Sequence, residues 1–344
     1  MRCLCGRQCW PVKLIARLAV FIIICNPLCY PQLASADLIS PLIISNYNPM
    51  VAIHGLPHIG DAEVLGRGSV QARLMYDVSS HYADDANDTE SILLDGETAR
   101  TTFIYQQGIR DRWQLALVIP YLKHHGGGLD STINNWHQMF DMPEGGRDQA
   151  ANNQFQYTYS RHSQTRFDLR NPTSGLGDVR VQAAWALEQN LNQATALEVS
   201  VKLPTGDSDK LHGSGAVDVA MWYKNETRQQ LFGARGGSFY SIGTLYLGSG
   251  DVLADLVSRW VGFGGIGGGV YLTEKLLFIS QLDINTAFYS SSDLVEMGSH
   301  AMQLTLGGRI LLSEYGRINF GMAEDLVIDA SPDVTFHVDV AWRF

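Results

Sequence analysis

The residues of this chain that could do chemistry are scattered, and their spacing limits what they can do. Arg161-His162-Ser163-Gln164 sets an imidazole beside a hydroxyl, His124 and His125 come shortly before Ser131, and His212 lies two residues from Ser214. A hydrolase needs its serine within hydrogen-bond reach of a histidine that an acid or amide orients. Adjacent residues of a strand point to opposite faces, so His162 would not serve Ser163 in a regular strand. Lipid hydrolysis is therefore the enzymatic alternative, and no catalytic residue is expected. Asp207, Asp209 and Asp251, with Asp84, Asp85 and Asp88, offer hard oxygen ligands for calcium. The run DSDKLHGSG lacks the spacing and glutamate of an EF-hand loop, so solvated acidic loops are the plainer reading and no metal or cofactor is expected. GFGGIGGG at 262 to 269 has glycine spacing like that of a phosphate cradle, but it lies mid-strand with no following helix. Close packing, a bend or a bulge is its physical meaning.

A second set of polar groups is ordered, because each alternates with apolar residues. In SVQARLMYDV, Val70, Ala72, Leu74, Tyr76 and Val78 share one face, against Gln71, Arg73, Met75 and Asp77. WQLALVIPYL, DVRVQAAWALE and TALEVSVKL repeat the pattern. Period two means strands, apolar outside and polar inside. Candidate strands are 69 to 78, 98 to 108, 113 to 122, 178 to 188, 195 to 203, 216 to 226, 231 to 246, 256 to 270, 275 to 288, 298 to 312, 316 to 326 and 334 to 344. Most are near the ~9 to 11 residues that a tilted strand needs to cross a bilayer. Links alternate in length: 108 to 112, 188 to 194, 226 to 230, 273 to 275 and 313 to 316 are short, while 80 to 97, 123 to 177, 204 to 215, 247 to 255, 289 to 297 and 327 to 333 are long. Short periplasmic turns and long outer loops mark outer-membrane barrels. The fold class is all-β, a transmembrane antiparallel up-and-down β-barrel of about 12 strands over residues 67 to 344.

Both ends of the chain agree. Arg2, Arg7, Lys13 and Arg17, an apolar stretch from Leu18 to Cys25, and Ala34-Ser35-Ala36 read as a signal peptide, residues 1 to 36, cleaved on export. All five cysteines lie inside it, so the exported chain can form no disulfide. Cleavage takes away four of the 25 basic residues and none of the 35 acidic ones, leaving a formal charge of −14. That sign excludes a nucleic-acid partner. At the other end, Phe336, Val338, Val340, Trp342 and Phe344 form one apolar face against His337, Asp339, Ala341 and Arg343. A last strand ending on Phe344, with Trp342 before it, reads as the assembly signal for periplasmic chaperones and the outer-membrane barrel-assembly machinery. It also pairs with the first strand to close the sheet. Outer-membrane lipid and lipopolysaccharide are the surrounding partners, in a Gram-negative bacterium.

NYNPMVAIHGLP (46 to 57), LLDGET (93 to 98), GIRDRWQLALVIPYL (108 to 122), LDSTINNWHQMFDMPEGGRD (129 to 148), GLGDVRV (175 to 181), KLPTGDSDKLHGSGAVDVA (202 to 220) and MAEDLVIDASPDVTFHVDVAWRF (322 to 344) resemble the domain-of-unknown-function 3187 family of proteobacterial outer-membrane proteins. The GLGD and KLPTGD segments are also similar, more distantly, to outer-membrane proteins of the phenol meta-cleavage pathway type, regarded as transporters of hydrophobic compounds. The resemblance implies fold and location and brings no catalytic residue.

Inward parity makes Arg73, Asp77, Arg180, Glu198, Lys202, Asp218, Lys224, Asp283, Arg309, Asp339 and Arg343 candidates for lining a pore, or for pairing off inside a closed barrel. The link 123 to 177 exceeds the ~12 to 15 residues of an idle connection. Within it Trp136, His137, Phe140 and Arg147 could constrict the mouth or touch a ligand, and Phe155, Tyr157 and Tyr159 alternate as a hairpin arm would. Residues 37 to 66 are a periplasmic N-terminal segment that either stays outside or enters the barrel. The functional expectation is a passive channel or transport-related barrel for a small molecule, a hydrophobic one included, against a lipid hydrolase or a structural surface barrel without transport.

Overall fold

A computed structural model describes residues 38 to 129, 152 to 231, 233 to 326 and 330 to 344. The expected signal peptide and the loop residues Ser131, Trp136, His137, Phe140 and Arg147 lie outside the described residues. The strands are β1 Val70–Ala86, β2 Glu90–Arg110, β3 Trp113–His125, β4 Gln156–Arg161, β5 Gln164–Leu169, β6 Thr173–Leu176, β7 Arg180–Gln189, β8 Gln193–Lys202, β9 Asp218–Leu231, β10 Ala234–Tyr246, β11 Trp260–Tyr271, β12 Leu276–Asn285, β13 Ala301–Leu311, β14 Gly316–Asp325 and β15 Val334–Arg343. β1 to β3 and β7 to β15 make a closed antiparallel barrel of 12 strands. It closes where β15 runs against β1, from Gln71 opposite Arg343 to Ser80 opposite Val334. Phe344 extends the seam through two backbone hydrogen bonds with Val70, at 2.7 and 3.2 Å. Closure leaves no unpaired edge in the barrel wall, which hydrocarbon would penalise.

Alternation explains the faces. Along β15, Phe336, Val338, Val340 and Trp342 are exposed outward while His337, Asp339 and Ala341 are buried inward. Aromatics gather toward the ends of the wall. Trp113 and Trp185 stack with centroids 5.9 Å apart near the short turns, and Tyr246 and Trp260 meet edge-on at 5.1 Å toward the opposite end. Such belts suit the two bilayer interfaces.

Three links differ from expectation. Residues 80 to 97 are not a loop: β1 and β2 continue past the wall as a hairpin, reversed at 87 to 89, where Asn87 Oδ1 accepts from the backbone of Thr89 and Glu90 at 2.8 Å each. Residues 226 to 230 stay in β9, and the reversal comes between Leu231 and Ala234 with Gly233 at φ 77°. His162 and Ser163 form the two-residue turn of the β4–β5 hairpin, with φ of 50° and 62°. Two positive φ values in a two-residue loop match the twist of the flanking strands.

The long outer link also carries structure. β4 pairs with the extension of β2, and β6 pairs with the end of β3. Before residue 130 the chain is pinned by Glu97, whose carboxylate accepts from the backbone of Gly128 at 2.8 Å and Leu129 at 2.6 Å. Gly127, at φ 71°, has no room for a Cβ, which would sit 1.8 Å from the Glu97 carboxyl carbon.

Candidate functional site: a filled lumen

Residues 38 to 65 run inside the barrel, almost all of them buried. The first arm, 38 to 48, follows the inner wall of β10 to β14. There the wall is bare of side chains at Gly237, Gly269, Gly307 and Gly321, and Ile39, Leu42 and Ile44 fill the space. A Cβ on Gly321 would come within 2.8 Å of Leu42 Cδ1 and 3.5 Å of Ile44 Cδ1. The inward glycines of the GFGGIGGG run therefore serve close packing. At the far end of the lumen a helical turn, Pro49–Ala52, is capped by Asn48 Oδ1, which accepts from Met50 N at 2.9 Å. Gly55 then turns the chain at φ 64°. The second arm descends along β7 to β9 and rejoins the wall as β1.

The segment is not knitted into the sheet, so its backbone groups need other partners. Wall side chains supply them. Gln281 brackets Leu42, accepting from its N at 2.8 Å and donating to its O at 3.2 Å. Gln189 does the same for Val64, at 3.0 Å each way. Leu65 N donates to Gln114 at 3.0 Å and Ala62 N to Glu226 at 2.8 Å. Arg180 donates to the carbonyls of Gly55 and Leu56 at 3.1 Å each, Arg309 to those of Ser40 and Pro41 at 3.2 and 3.4 Å, and Lys202 to that of Ile53 at 3.0 Å.

Two charged clusters hold the second arm. Asp61 bridges Arg73 at 3.0 Å and Arg317 at 2.7 Å. Arg73 also reaches Asp339, which receives His337 Nε2 at 2.9 Å, and His337 Nδ1 meets Asp77 at 2.6 Å. The other cluster is centred on Lys202, which contacts Asp178 at 2.5 Å, Asp218 at 2.8 Å and Ser214 at 2.6 Å. Its amine is thus shared among two wall carboxylates, the Ser214 hydroxyl and the Ile53 carbonyl. Over the top of the segment, Met50, Val51, Ile53 and Leu56 join an apolar cluster with Trp222, Phe263, Phe288, Tyr289 and Leu253. Outside the strands, His212 touches Thr173 at 3.2 Å and stacks on His124, and burial pushes its imidazole below the usual range. Among the described residues, two cavities beside the segment, of about 10 and 20 Å³, have room for about one water each.

The structure thus places the inward residues read from the sequence. Arg73, Asp77, Arg180, Glu198, Lys202, Asp218, Lys224, Arg309 and Asp339 point inward and are buried. They hold each other or the segment instead of bordering open water. Asp283 is half-buried, with Gln281 donating to it at 2.9 Å, and Arg343 lies 3.6 Å from Glu63 at the mouth. Trp342 and Phe344 face outward, 41% and 71% exposed. Among the described residues no group of three or more His, Cys, Asp or Glu could hold a metal.

Residues of consequence that parity alone did not single out are Asp61, Tyr47, Arg100, Asp178, Ser214 and Gln281. Two motifs held part of the signal. GLGD and KLPTGD meet: Thr205 Oγ1 donates to Gly177 O and accepts from Val179 N, both at 2.9 Å, and Gly206 N donates to Asp178 at 2.8 Å. They weld the bulged junction of β6 and β7 to the end of β8 and aim Asp178 at Lys202.

A family model described as a protein of unknown function, DUF3187, matches residues 17–344. The chain belongs to that family. Among curated proteins no sequence match is found. Among solved structures, this DUF3187 barrel is similar to the COG4313 outer membrane channel from Pseudomonas putida F1, with TM-score 0.52 and 13% identity over 83% of this chain and 98% of that one. At that identity the likeness shows a common fold, the outer-membrane barrel. Fainter likenesses are to the NanC porin, TM-score 0.43 and 8% identity over 79% and 98% of the two chains, and to the Pseudomonas putida toluene transporter TodX, 0.35 and 7% over 81% and 89%.

Proposed function

We propose that this chain is an outer-membrane barrel working as a passive channel for a small solute, closed at rest by its own residues 38 to 65. The observation that carries this reading is the way the segment is held. It contributes no strand to the barrel and, among the described residues, is fastened by side-chain hydrogen bonds, three ion pairs and apolar contacts, so it can leave without opening the sheet. The charged wall favours a polar solute over the hydrophobic one that the more distant resemblance suggested. The lipid-hydrolase alternative has little support, since His162 and Ser163 are turn residues. Export by the signal peptide, delivery by periplasmic chaperones and insertion by the barrel-assembly machinery, reading Trp342 and Phe344, complete the proposal, with lipopolysaccharide around the outer loops. The test is conductance of the purified full chain in planar bilayers, compared with Asp61→Ala, which loosens the segment. Rare small openings in the parent and frequent larger ones in the variant are expected. Silence in both, from protein shown to be folded and inserted, would overturn the reading.

A further inference from the structure

The guanidinium groups that face the lumen are held by the inserted segment more than by acids of the wall. Arg180 gives its hydrogen bonds to the carbonyls of Gly55 and Leu56. Arg309 gives two to Ser40 and Pro41 and one to Asn319, and among the described residues its buried Nη1 has no hydrogen-bond partner. Arg100 lies 5.3 Å from the centroid of the Tyr47 ring and bonds Thr102. Among the described residues none of the three has a carboxylate at ion-pair distance. Arg73 and Arg317 both reach the segment's Asp61. Wall acids are served differently. Asp77 has His337, Glu198 has Lys224, Asp218 has Lys202 and Asp339 has Arg73, all of them wall residues. Asp283 and Glu226 are two inward wall acids for which no such cation stands at ion-pair distance among the described residues. The segment itself, 38 to 66, contains Asp61 and Glu63 and no lysine or arginine.

To Arg180 and Arg309 the segment therefore presents carbonyl oxygens, and the wall presents guanidinium N–H donors. We propose that the lumen, once the segment withdraws, takes small anionic solutes of the carboxylate or phosphate type, whose oxygens replace its carbonyls on Arg180 and Arg309 and its Tyr47 ring on Arg100. The proposal rests on the channel reading above. Guanidinium forks match oxyanions in a planar, two-pronged geometry that they cannot complete with isolated carbonyls. Pairs internal to the wall stay closed when the segment leaves. Arg100, Arg180 and Arg309 then lose their contacts to the segment. A narrow, low-dielectric tube focuses the field of these arginines onto whatever enters.

The test uses the full-length Asp61→Ala chain in planar bilayers under a potassium chloride gradient, with the reversal potential as readout. Chloride permeability should exceed that of potassium by about tenfold, the lower end of what field focusing achieves. Adding Arg180→Gln and Arg309→Gln should bring the ratio toward unity, and millimolar citrate or inorganic phosphate should block the parent openings but not those of the triple variant. Arg100→Gln alone, a milder change, serves if the triple variant lacks the heat-modifiable band of a folded barrel. Openings that favour potassium, or a ratio indifferent to these arginines, overturn the inference and leave the channel intact. Absence of any conductance removes the channel reading and this inference with it.

Discussion

Asp61→Ala should unseat the luminal segment while leaving the barrel standing. The carboxylate lies between Arg73 and Arg317 at 3.0 and 2.7 Å, and Arg73 is only 1% exposed. Removing one partner of a fully buried ion pair costs about 3 to 5 kcal/mol, chiefly because the other charge stays buried. Two features reduce that figure here. Arg73 keeps Asp339 at 3.4 Å, and Arg317 is 13% exposed and can turn to water at the mouth. A loss of about 2 to 3 kcal/mol in seating is the expectation, which is roughly 30- to 150-fold in the equilibrium between seated and withdrawn forms. Hydrogen exchange resolved by peptide reads this directly, because local opening limits the exchange of amides such as Leu42, Ala62, Val64 and Leu65 that donate to wall side chains. Exchange over 38 to 65 should accelerate by that factor, while β10 to β14 keep their protection and the heat-modifiable band persists. Unchanged exchange of the segment would show that the Asp61 pairs do not hold it. Equal acceleration in segment and strands would show that the two unfold as one unit and that no gate exists.

Other perturbations separate the remaining contacts. Gly321→Phe drives a ring into the space of Leu42 and Ile44, and such overpacking costs about 1 to 3 kcal/mol; segment exchange should rise as in Asp61→Ala, and a second-site Leu42→Ala should restore protection. On the lipid face, Val338→Arg should cost about 2 to 4 kcal/mol and Phe344→Arg about 0 to 1, measured by urea titration of refolding into phospholipid vesicles, because the penalty depends on depth. Equal losses at the two positions would contradict the assigned membrane frame. His212 gives a pH dependence. Burial lowers its folded pKa below the unfolded value, so between the two the unfolded chain binds more protons, and its contribution is intact at neutral pH and lost as pH falls through that interval. Proteolysis in loop 203 to 217 should therefore accelerate in mild acid, and His212→Gln should flatten that profile.

Much of this molecule is legible in the chain alone. Strands of a barrel have lipid on one side and an interior on the other, so each residue's parity records which solvent its side chain meets. For that reason Arg73, Arg180, Lys202, Arg309 and Asp339 could be pointed inward, and Val338 and Trp342 outward, before any contact was known. Loop lengths were less readable, because β1 and β2 leave the bilayer without changing their backbone geometry, and a strand that outlasts its membrane resembles a loop in composition.

Residues 38 to 65 mark the boundary of what pattern can tell. They are buried on all sides, so they have no polar face to alternate with an apolar one, and they are tied down by partners far along the chain: Leu42 and Gln281 are 239 positions apart. Nothing local in NYNPMVAIHGLP reports that its carbonyls will meet Arg180, or that Ile39 and Leu42 will find glycines across a wall. Charge pairing follows the same rule. The sequence by itself determined the barrel, its strand faces and the inward set of charges, since these depend on each residue's own solvent. Only the tertiary structure decided that the lumen is filled and which charge meets which, because those outcomes depend on the distance between two chains of atoms that the closed sheet brings together.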